Sequence, residues 1–345
     1  MNLLLLFVTC RLPGARNDQP SFCYLQPSAR YHELLKMNRL SHQQIARDIQ
    51  WLLSSPSIIN PDYDARFICP ATHPVHNDQI TGSGYSELVE ILHQRRSHLL
   101  GIYYESLWQY ILRHSEDYQL MACNLQVQNN HQTLGEFDLI LKSLKREVFI
   151  HRELAIKYYL GLPSGNHPAS PWHHWIGPGL HDRMDKKLNH MLQHQITLSQ
   201  THAGQRALNA LDISGVQTEI LFQGYLFYPV TGACPPPEDC SAQHLRGHWL
   251  PINQLSSWLE LEEGEICYLP LPKSLWLSSY RGVSDPATHL SGDELIKCLQ
   301  SQLSKIARPQ MVVRCHEKEG NLCENSRFFV VPDNWEAEAI VAAKI

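Results

Sequence analysis

The segment from Gly135 to Gly161, GEFDLILKSLKREVFIHRELAIKYYLG, interrupts apolar runs with acids, a histidine and a lysine. Its alternation of apolar and polar residues predicts a β-hairpin, because successive side chains of a strand point to opposite faces. The polar side of such a hairpin is either an ordinary solvent-facing surface or a site. The residues that could do chemistry there are Glu136, Asp138, His151, Glu153 and Lys157.

The pairing of the two strands decides whether these side chains meet. With a four-residue turn, Asp138 lies opposite His151 and Glu136 lies opposite Glu153, so all four project from one face. A slip of two residues keeps this result, and a slip of one destroys it. Opposed carboxylates repel each other unless a cation lies between them, and hard cations take oxygen ligands. This register therefore predicts a site for Mg²⁺ or Mn²⁺.

The hairpin needs flanking elements to hold it in place. A first helix is predicted after a cap at Ser41, and a second from about Ser86 to Arg113, where Glu105 lies inside an otherwise apolar run. A helix from about Leu180 to Gln200 follows the hairpin, and TEILFQGYLFYPV is then typical of a buried strand. Further strands are predicted at Leu120–Gln128, Leu134–Lys142 and Val148–Leu160.

These patterns divide the chain into three segments. Residues 1–40 are expected to be a poorly defined leader, because their short apolar run has no basic residue before it, unlike a signal peptide. Residues 41–232 contain the hairpin and its helices. Residues 233–345 follow the CPPPEDC break and look like a C-terminal α+β extension. The predicted fold class is α/β (α+β).

Composition favours a folded, cytoplasmic protein. The 345 residues are 43% hydrophobic and 18% charged, which is typical of globular chains. A net charge of −5 argues against a surface coated with basic residues for non-specific DNA binding, although a local basic patch is compatible with it. No run approaches 18 uninterrupted apolar residues, so no membrane span is expected. The sequence has no Walker loop, GxGxxG or GxSxG motif, which disfavours nucleotide triphosphatases, dinucleotide enzymes and α/β-hydrolases.

Several stretches resemble a known family. RDIQWLLSSP, TLGEFDLI, HRELAIKYYLG, WIGPGLHDRMDKKLNHMLQHQ and RFFVVPDNW are similar to the bacterial domain-of-unknown-function family 1853, over about residues 45–335. A helix with a glutamate, G-E-x-D on one strand, and an acid with a lysine on the next also resemble the PD-(D/E)XK nuclease superfamily. That resemblance implies a restriction-endonuclease-like core of helix, three strands, helix and strand, near residues 86–232.

The superfamily resemblance implies a role for each candidate. Asp138 would be the central metal ligand and Glu153 the second, while Lys157 would hold or polarise the attacking water. Glu105 on the preceding helix would complete the site. Glu136 would be a further metal ligand, or it would contact one of the ligands without touching the metal.

The spacing departs from the superfamily pattern of acid-x-lysine. Glu153 and Lys157 are separated by three residues, which is about 13 Å along an ideal strand, and Ala155 occupies the expected acidic position. Three interpretations are open. A bulge or strand end brings Lys157 back, Glu136 supplies the missing carboxylate, or the site is degenerate.

The helix after the hairpin carries the remaining candidates. By the same resemblance, Gln193 or Gln195 would match the glutamine that such nucleases place near the site. Four basic residues on this helix follow one another at steps of four, three and four residues, so their side chains share one face. This basic stripe either binds phosphates or is simply solvated. Its two histidines also form HxxxH, which can chelate zinc. The stripe consists of Arg183, Lys187, His190 and His194.

The first functional hypothesis is a Mg²⁺- or Mn²⁺-dependent phosphodiesterase acting on nucleic acid, in which the carboxylates gather a metal that activates water. The alternative is a non-catalytic nucleic-acid or protein binding module on a degenerate nuclease fold, with structural acids. A third interpretation is a zinc-binding structural protein that uses the histidines.

Overall fold

The structure describes most of the chain from residue 40 to residue 344 and contains eight α-helices within the described residues. The structure is a computed structural model that describes residues 40–68, 83–94, 99–130, 132–165, 167–261, 266–285 and 289–344. Residues 1–39 of the expected leader lie outside these described residues. The α-helices within them are α1 His42–Ser54, α2 Ser83–Gln94, α3 Leu100–Arg113, α4 Met184–His190, α5 His202–Asn209, α6 Leu255–Leu259, α7 Gly292–Ile306 and α8 Trp335–Ala343.

The strands of the described chain form one ten-stranded mixed sheet. They are β1 Tyr118–Asn129, β2 Gln132–Ser143, β3 Val148–Gly161, β4 Trp175–Ile176, β5 Gln217–Pro229, β6 Leu245–Pro251, β7 Cys267–Pro270, β8 Arg281–Val283, β9 Gln310–Lys318 and β10 Asn321–Val331. Their order is β1-β2-β3-β5-β6-β10-β9-β7, with β4 paired to β3 and β8 to β10. Strands β1 to β3 form an antiparallel meander, and β5 lies parallel to β3. The predicted strands are therefore confirmed as β1, β2, β3 and β5.

Capping explains where α1 begins. The Ser41 side chain accepts a hydrogen bond from the Gln44 N–H at 3.1 Å, as an N-cap residue does. The apolar face that follows, with Ile45 and Ile49, is buried. The predicted first helix is confirmed.

Two other predicted helices differ from the structure. The helix predicted from Ser86 to Arg113 consists of α2 and α3, and Leu99 before α3 has an extended backbone (φ −69°, ψ 127°). The helix predicted from Leu180 begins at Met184, because Leu180 has a φ of +66°, outside the right-handed helical region. It then passes into a π-helical turn, Met191–Gln195.

Helices cover both faces of the sheet. Helices α1, α2, α3 and α8 contribute to one large apolar cluster that runs along the sheet from Leu139 in β2 to Val313 in β9. On the opposite face, α4 packs over Tyr159 of β3 and Phe222 of β5. Helix α5 covers β1 and β2, and α6 and α7 cover the C-terminal strands. Burial on both faces accounts for the nearly continuous apolar sequence of β5.

The C-terminal strands extend the same sheet. The predicted boundary between residues 232 and 233 falls between β5 and β6, which pair in parallel. Strand β6 pairs with β10, β10 with β9, and β9 with β7. The mixed α/β class predicted from the sequence is confirmed. None of the described helices combines the length and apolar composition needed to cross a bilayer.

Candidate active site

The candidate site lies where β2 and β3 separate. Their pairing ends with Leu139 opposite Arg152. One residue further along β2, Oδ2 of Asp138 accepts a hydrogen bond from the backbone N–H of Leu154 at 2.8 Å. A carboxylate oxygen thereby takes the place that a backbone carbonyl of β2 would occupy, and it lies at the fork between the two strands.

The register differs by two residues from the predicted one. Ile140 lies opposite His151, so the predicted pairs of Asp138 with His151 and of Glu136 with Glu153 are wrong. The observed register brings Asp138 level with Glu153. Because a slip of two residues leaves each side chain on its face, the carboxyl groups of Asp138 and Glu153 still meet.

Asp138 and Glu153 form a coupled pair of buried carboxyl groups. Burial raises the pKa of Asp138 to about 7, and repulsion from Glu153 adds to the rise. Burial also raises the pKa of Glu153 to about 7, while hydrogen bonding to Asp138 acts in the opposite direction. These opposite effects fit one proton shared between two neighbouring carboxyl groups. The pair therefore binds positive charge, here a proton, at a pH where isolated carboxyl groups are fully ionised.

His151 fixes one oxygen of Glu153. Its Nε2 lies 2.7 Å from Oε1 of Glu153, and its ring packs edge-on against Phe137 with the ring centroids 4.6 Å apart. Burial lowers the pKa of His151 to about 4, so the imidazole is neutral near pH 7 and the contact is a hydrogen bond, not an ion pair. The Nδ1 atom of His151 is buried and has no hydrogen-bond partner among the described residues.

Gln195 holds the other oxygen of Glu153. It ends the π-helical turn, in which the Ile196 N–H donates to the Met191 carbonyl five residues earlier at 2.9 Å. Nε2 of Gln195 donates to Oε2 of Glu153, and Oε1 of Gln195 accepts from Nζ of Lys187 at 2.9 Å. π-turns add one residue to a helical turn and often mark functional sites. Here the turn joins a lysine to a buried carboxylate through an amide.

Lys187 contributes a positive charge to this cluster. It lies on α4 and is half-buried. Burial lowers its pKa, and the charge of Lys157 acts in the same direction. The charges of Asp138 and Glu153 act in the opposite direction and favour the ammonium form. The ammonium group is thus within electrostatic range of both carboxyl groups.

Lys157 is bound elsewhere. Its Nζ lies 2.5 Å from Oδ2 of Asp182, and Oδ1 of the same carboxylate accepts from the Tyr159 hydroxyl at 3.2 Å. Lys157 is 28% exposed and Asp182 is 38% exposed. The ion pair ties β3 to the loop before α4, so the structure gives Lys157 a partner other than the carboxylate pair.

Two further predicted acids lie beside the pair. Glu136 is half-buried and accepts a hydrogen bond from Nδ2 of Asn124 in β1 at 3.2 Å. Glu105 is half-buried on α3. Burial raises the pKa of the neighbouring Tyr104 hydroxyl, and the charges of Asp138 and Glu105 raise it further. The Tyr104 hydroxyl therefore lies within electrostatic range of Asp138, and Glu105 is the next residue along α3.

The predicted phosphate-binding stripe divides into three environments. Arg183 forms a two-pronged ion pair with Asp185, with distances of 2.6 and 2.9 Å, and it donates to two backbone carbonyls at the C-terminal end of α8. Lys187 belongs to the carboxylate cluster. His190 and His194 are exposed, with ring centroids 5.4 Å apart. Nδ1 of His190 also lies 3.2 Å from Oε1 of Gln195, so Lys187 and His190 share one amide oxygen. Arg183 is instead tied to Asp185 and α8, and binding of phosphate by the stripe stays a prediction.

A divalent cation fits the carboxylate pair by charge and by ligand type. Burial raises the pKa values of half-buried Asp138 and buried Glu153 to about 7, and repulsion from Glu153 adds to the rise at Asp138, so a nearby positive charge is favourable. Carboxylate oxygens also suit Mg²⁺. Among the described residues, no three His, Cys, Asp or Glu side chains are grouped so as to hold a metal ion. A cation at Asp138 and Glu153 would therefore complete its coordination with water or substrate, as Mg²⁺ commonly does. The two exposed histidines gain no third ligand from such a group, so zinc receives no support.

Comparison with known proteins places the whole site inside one family. The family model described as domain of unknown function (DUF1853) matches residues 47–331. The chain belongs to this family. The match includes every side chain of the DUF1853 site described above, from Glu105 to Gln195. No curated protein and no solved structure matches the chain, and the DUF1853 description gives no activity.

Sequence reasoning missed two features of the DUF1853 site. It assigned Lys187 to a phosphate-binding stripe and missed its contact with Gln195. In a regular helix, residues eight positions apart differ by about 80° in direction, so the sequence does not predict this contact. It also overlooked Asp182 as the partner of Lys157, although an acid just before a predicted helix was a visible signal. Of the two candidate glutamines, Gln195 reaches the site and Gln193 is exposed.

Proposed function

We propose that this DUF1853 chain is a divalent-metal-dependent phosphodiesterase that acts on nucleic acid. The observation that carries the proposal is the coupled pair of buried carboxyl groups at the fork of β2 and β3. Burying two carboxyl groups together is costly unless a cation compensates them. Groups with strongly raised pKa values in such positions are candidates for function.

Asp138 and Glu153 would hold the cation, which would supply Lewis-acid activation of water and neutralise charge on the phosphate. The remaining side chains act on this pair. His151 and Gln195 each hold one oxygen of Glu153, so the orientation of that carboxylate is fixed before substrate binds. Preorganised polar groups lower a barrier because they need little reorganisation during the reaction.

The arrangement of elements supports the nuclease assignment. Helix α3, the meander β1 to β3, helices α4 and α5, and the parallel strand β5 follow the order of a PD-(D/E)XK core. The carboxylates lie on the second and third strands of the meander, and Glu105 lies on the helix before it. This is the placement that the superfamily resemblance implies, and it favours nucleic acid as the class of phosphodiester.

The test combines cation binding with cleavage. Mg²⁺ and Mn²⁺ are titrated by calorimetry, and plasmid DNA, single-stranded DNA and RNA are then incubated with the protein and each cation. Asp138→Asn and Glu153→Gln should abolish both binding and cleavage. Glu147→Gln is the matched control, because Glu147 lies exposed in the turn at the opposite end of the same hairpin. Cleavage that persists in both site variants would refute the proposal.

The second candidate is a non-catalytic nucleic-acid or protein binding module on the same fold. The ion pair of Lys157 with Asp182 favours it, because the lysine on the strand is then not available to an attacking water. Cation binding without cleavage of any of the three nucleic acids, together with retention of labelled DNA or RNA in a mobility-shift assay, would support the module over the enzyme.

A further inference from the structure

We propose that Lys187, and not Lys157, is the lysine of the active site, where it contacts the phosphate undergoing hydrolysis and Gln195 positions it. The inference rests on the proposed phosphodiesterase function and assigns one of its residues. It concerns a lysine on α4, whereas the resemblance to nucleases implies a lysine on the strand.

Lys157 has a complete structural explanation. Its ammonium group lies 2.5 Å from Asp182, and the Tyr159 hydroxyl donates to the same carboxylate. A strand residue four positions after Glu153 is about 13 Å along an ideal strand from it. Lys157 therefore reaches toward the loop before α4. Its charge still acts on Lys187, but its ammonium group is held by Asp182.

Lys187 is placed where a site lysine is needed. Its Nζ donates to Oε1 of Gln195 at 2.9 Å, and the amide of the same glutamine donates to Glu153. The charges of Asp138 and Glu153 both act on Lys187. An ammonium group close to metal-binding carboxylates is in position to donate to a non-bridging oxygen of a phosphate held by the cation.

The partial burial of Lys187 is a second, independent observation. Lysine is seldom buried, because its ammonium group is strongly hydrated. Its neighbour Lys186 on α4 follows this rule and is exposed. The half-buried position of Lys187 beside two acids costs desolvation energy, which an ordinary surface lysine avoids by remaining in water.

The π-helical turn explains how the two side chains meet. Eight residues of a regular α-helix rotate the chain by about 80° beyond whole turns, so Lys187 and Gln195 would not lie above one another. One inserted residue makes eight positions equivalent to about seven, which brings the two side chains to within about 20° of the same face. The π-helical turn that begins at Met191 therefore aligns the side chain of Gln195 with that of Lys187.

Lys187 acts electrostatically in this assignment. The water oxygen forms a bond to phosphorus, the bond from phosphorus to the leaving oxygen breaks, and the protons of water pass to the leaving oxygen and to solvent. Lys187 remains an ammonium group throughout and donates a hydrogen bond to phosphate oxygen as negative charge develops. Loss of one such donor typically lowers kcat about 10²- to 10³-fold.

The first readout is cleavage by variants matched in charge. Lys187→Met should lower kcat at saturating Mn²⁺ by about 10²- to 10³-fold, and Lys187→Arg should restore part of that loss. Lys186→Met should leave kcat within about threefold of wild type, since Lys186 is exposed. A loss confined to Lys157→Met, with Lys187→Met fully active, would overturn the assignment while leaving the phosphodiesterase function intact.

The second readout does not depend on cleavage. Removing the ammonium group of Lys187 removes a charge that competes with the cation, so Lys187→Met should bind Mn²⁺ about three- to tenfold more tightly in a calorimetric titration. Lys157→Met should bind Mn²⁺ with nearly unchanged affinity, because Asp182 neutralises Lys157. Equal affinities of wild type and Lys187→Met would contradict the placement of Lys187 at the carboxylate pair. A wild type that binds Mn²⁺ and cleaves none of the three nucleic acids would instead overturn the phosphodiesterase function, and the catalytic role of Lys187 with it.

Discussion

Replacing Asp138 by asparagine should make the metal-free protein more stable above pH 7. Asparagine has the shape of aspartate, and its side-chain oxygen can still accept the hydrogen bond from the Leu154 N–H. The substitution therefore removes a charge while it preserves the contact at the strand fork. Most substitutions of a buried polar residue are destabilising, so a gain in stability would be diagnostic.

The sign follows from the direction of the pKa changes. The pKa of Asp138 rises from 3.8 to about 7 on folding, and that of Glu153 rises from 4.5 to about 7. Between pH 4 and pH 7 the folded protein therefore binds protons that the unfolded chain has lost, so the free energy of unfolding falls as pH rises. His151 acts in the opposite sense, because its pKa falls from 6.5 to about 4. The charge of Asp138 opposes that fall, so Asp138→Asn lowers the pKa of His151 further. At pH 5 and above the folded imidazole is neutral in both proteins, so its contribution nearly cancels in their difference.

The magnitude can be bounded from the same values. Each pH unit between pH 5 and pH 7 changes the contribution of Asp138 by at most about 1.4 kcal/mol. The stability advantage of Asp138→Asn over wild type should therefore widen by about 2–3 kcal/mol between pH 5 and pH 8.5. Saturating Mn²⁺ should remove most of this advantage at pH 8.5, because a ligand that binds only the folded wild type stabilises it.

The assay is urea denaturation followed by tryptophan fluorescence at pH 5, 7 and 8.5, without metal and with Mn²⁺. The control is Glu147→Gln, which removes an exposed acid from the turn of the same hairpin and leaves the carboxylate pair intact. A constant difference between wild type and Asp138→Asn at all three pH values would refute the coupled carboxylate pair. So would a variant that is less stable than wild type at pH 8.5 without metal.

Three further predictions concern the frame around the site, each measured by urea denaturation. Arg183→Gln should cost about 1–3 kcal/mol of stability, because it removes the ion pair with Asp185 and two hydrogen bonds to the end of α8. It should leave the salt dependence of DNA binding unchanged. A weaker salt dependence would mean that Arg183 contacts phosphate. Gly224→Ala should cost more than about 4 kcal/mol, since φ is +137° and the new Cβ would lie 1.7 Å from a backbone oxygen of β3. The control Gly101→Ala, with no atom within 4 Å of its new Cβ, should be neutral or slightly stabilising. Equal effects of the two substitutions would mean that the close approach of β3 and β5 is wrong. Asp48→Ala should cost about 2–4 kcal/mol, and this cost should be the same with and without Mn²⁺. A cost that grows on addition of Mn²⁺ would mean that the cation binds at Asp48.

The hairpin could be predicted from sequence because its signal is local. Alternating residues specify strands and faces, and the faces survive a register error of two residues. The side chains of Asp138 and Glu153 therefore lie on one face although the predicted register differs from the observed one by two residues. The register itself depends on the turn, where Glu147 adopts a φ of +54°. A positive φ is uncommon outside glycine, and the residue types of the turn do not predict it.

The role of Lys187 could not be predicted because its signal is not local. A regular helical period places Lys187 with Arg183 and His190 on one stripe, and only the π-helical turn changes which side chains lie above one another. The two partners of the stripe residues, Asp185 and Gln195, are close in sequence, but their contacts depend on where the helix begins and where it widens. Element boundaries are the part of a fold that sequence patterns determine least.

Asp48, which is fully buried, and Asp138, which is half-buried, differ in what surrounds their carboxyl groups. Asp48 accepts four hydrogen bonds, from the Ser278 hydroxyl and backbone N–H and from two further side chains, one of them Tyr103, and no second carboxylate lies among these partners. Burial raises the pKa of Asp48, and these four hydrogen bonds oppose that rise. Asp138 receives one such bond, from Leu154, which a neutral asparagine could accept equally well, and it faces the charge of Glu153. Retaining two acids where one amide would satisfy the backbone lowers stability above pH 7, and the proposed cation would offset that cost.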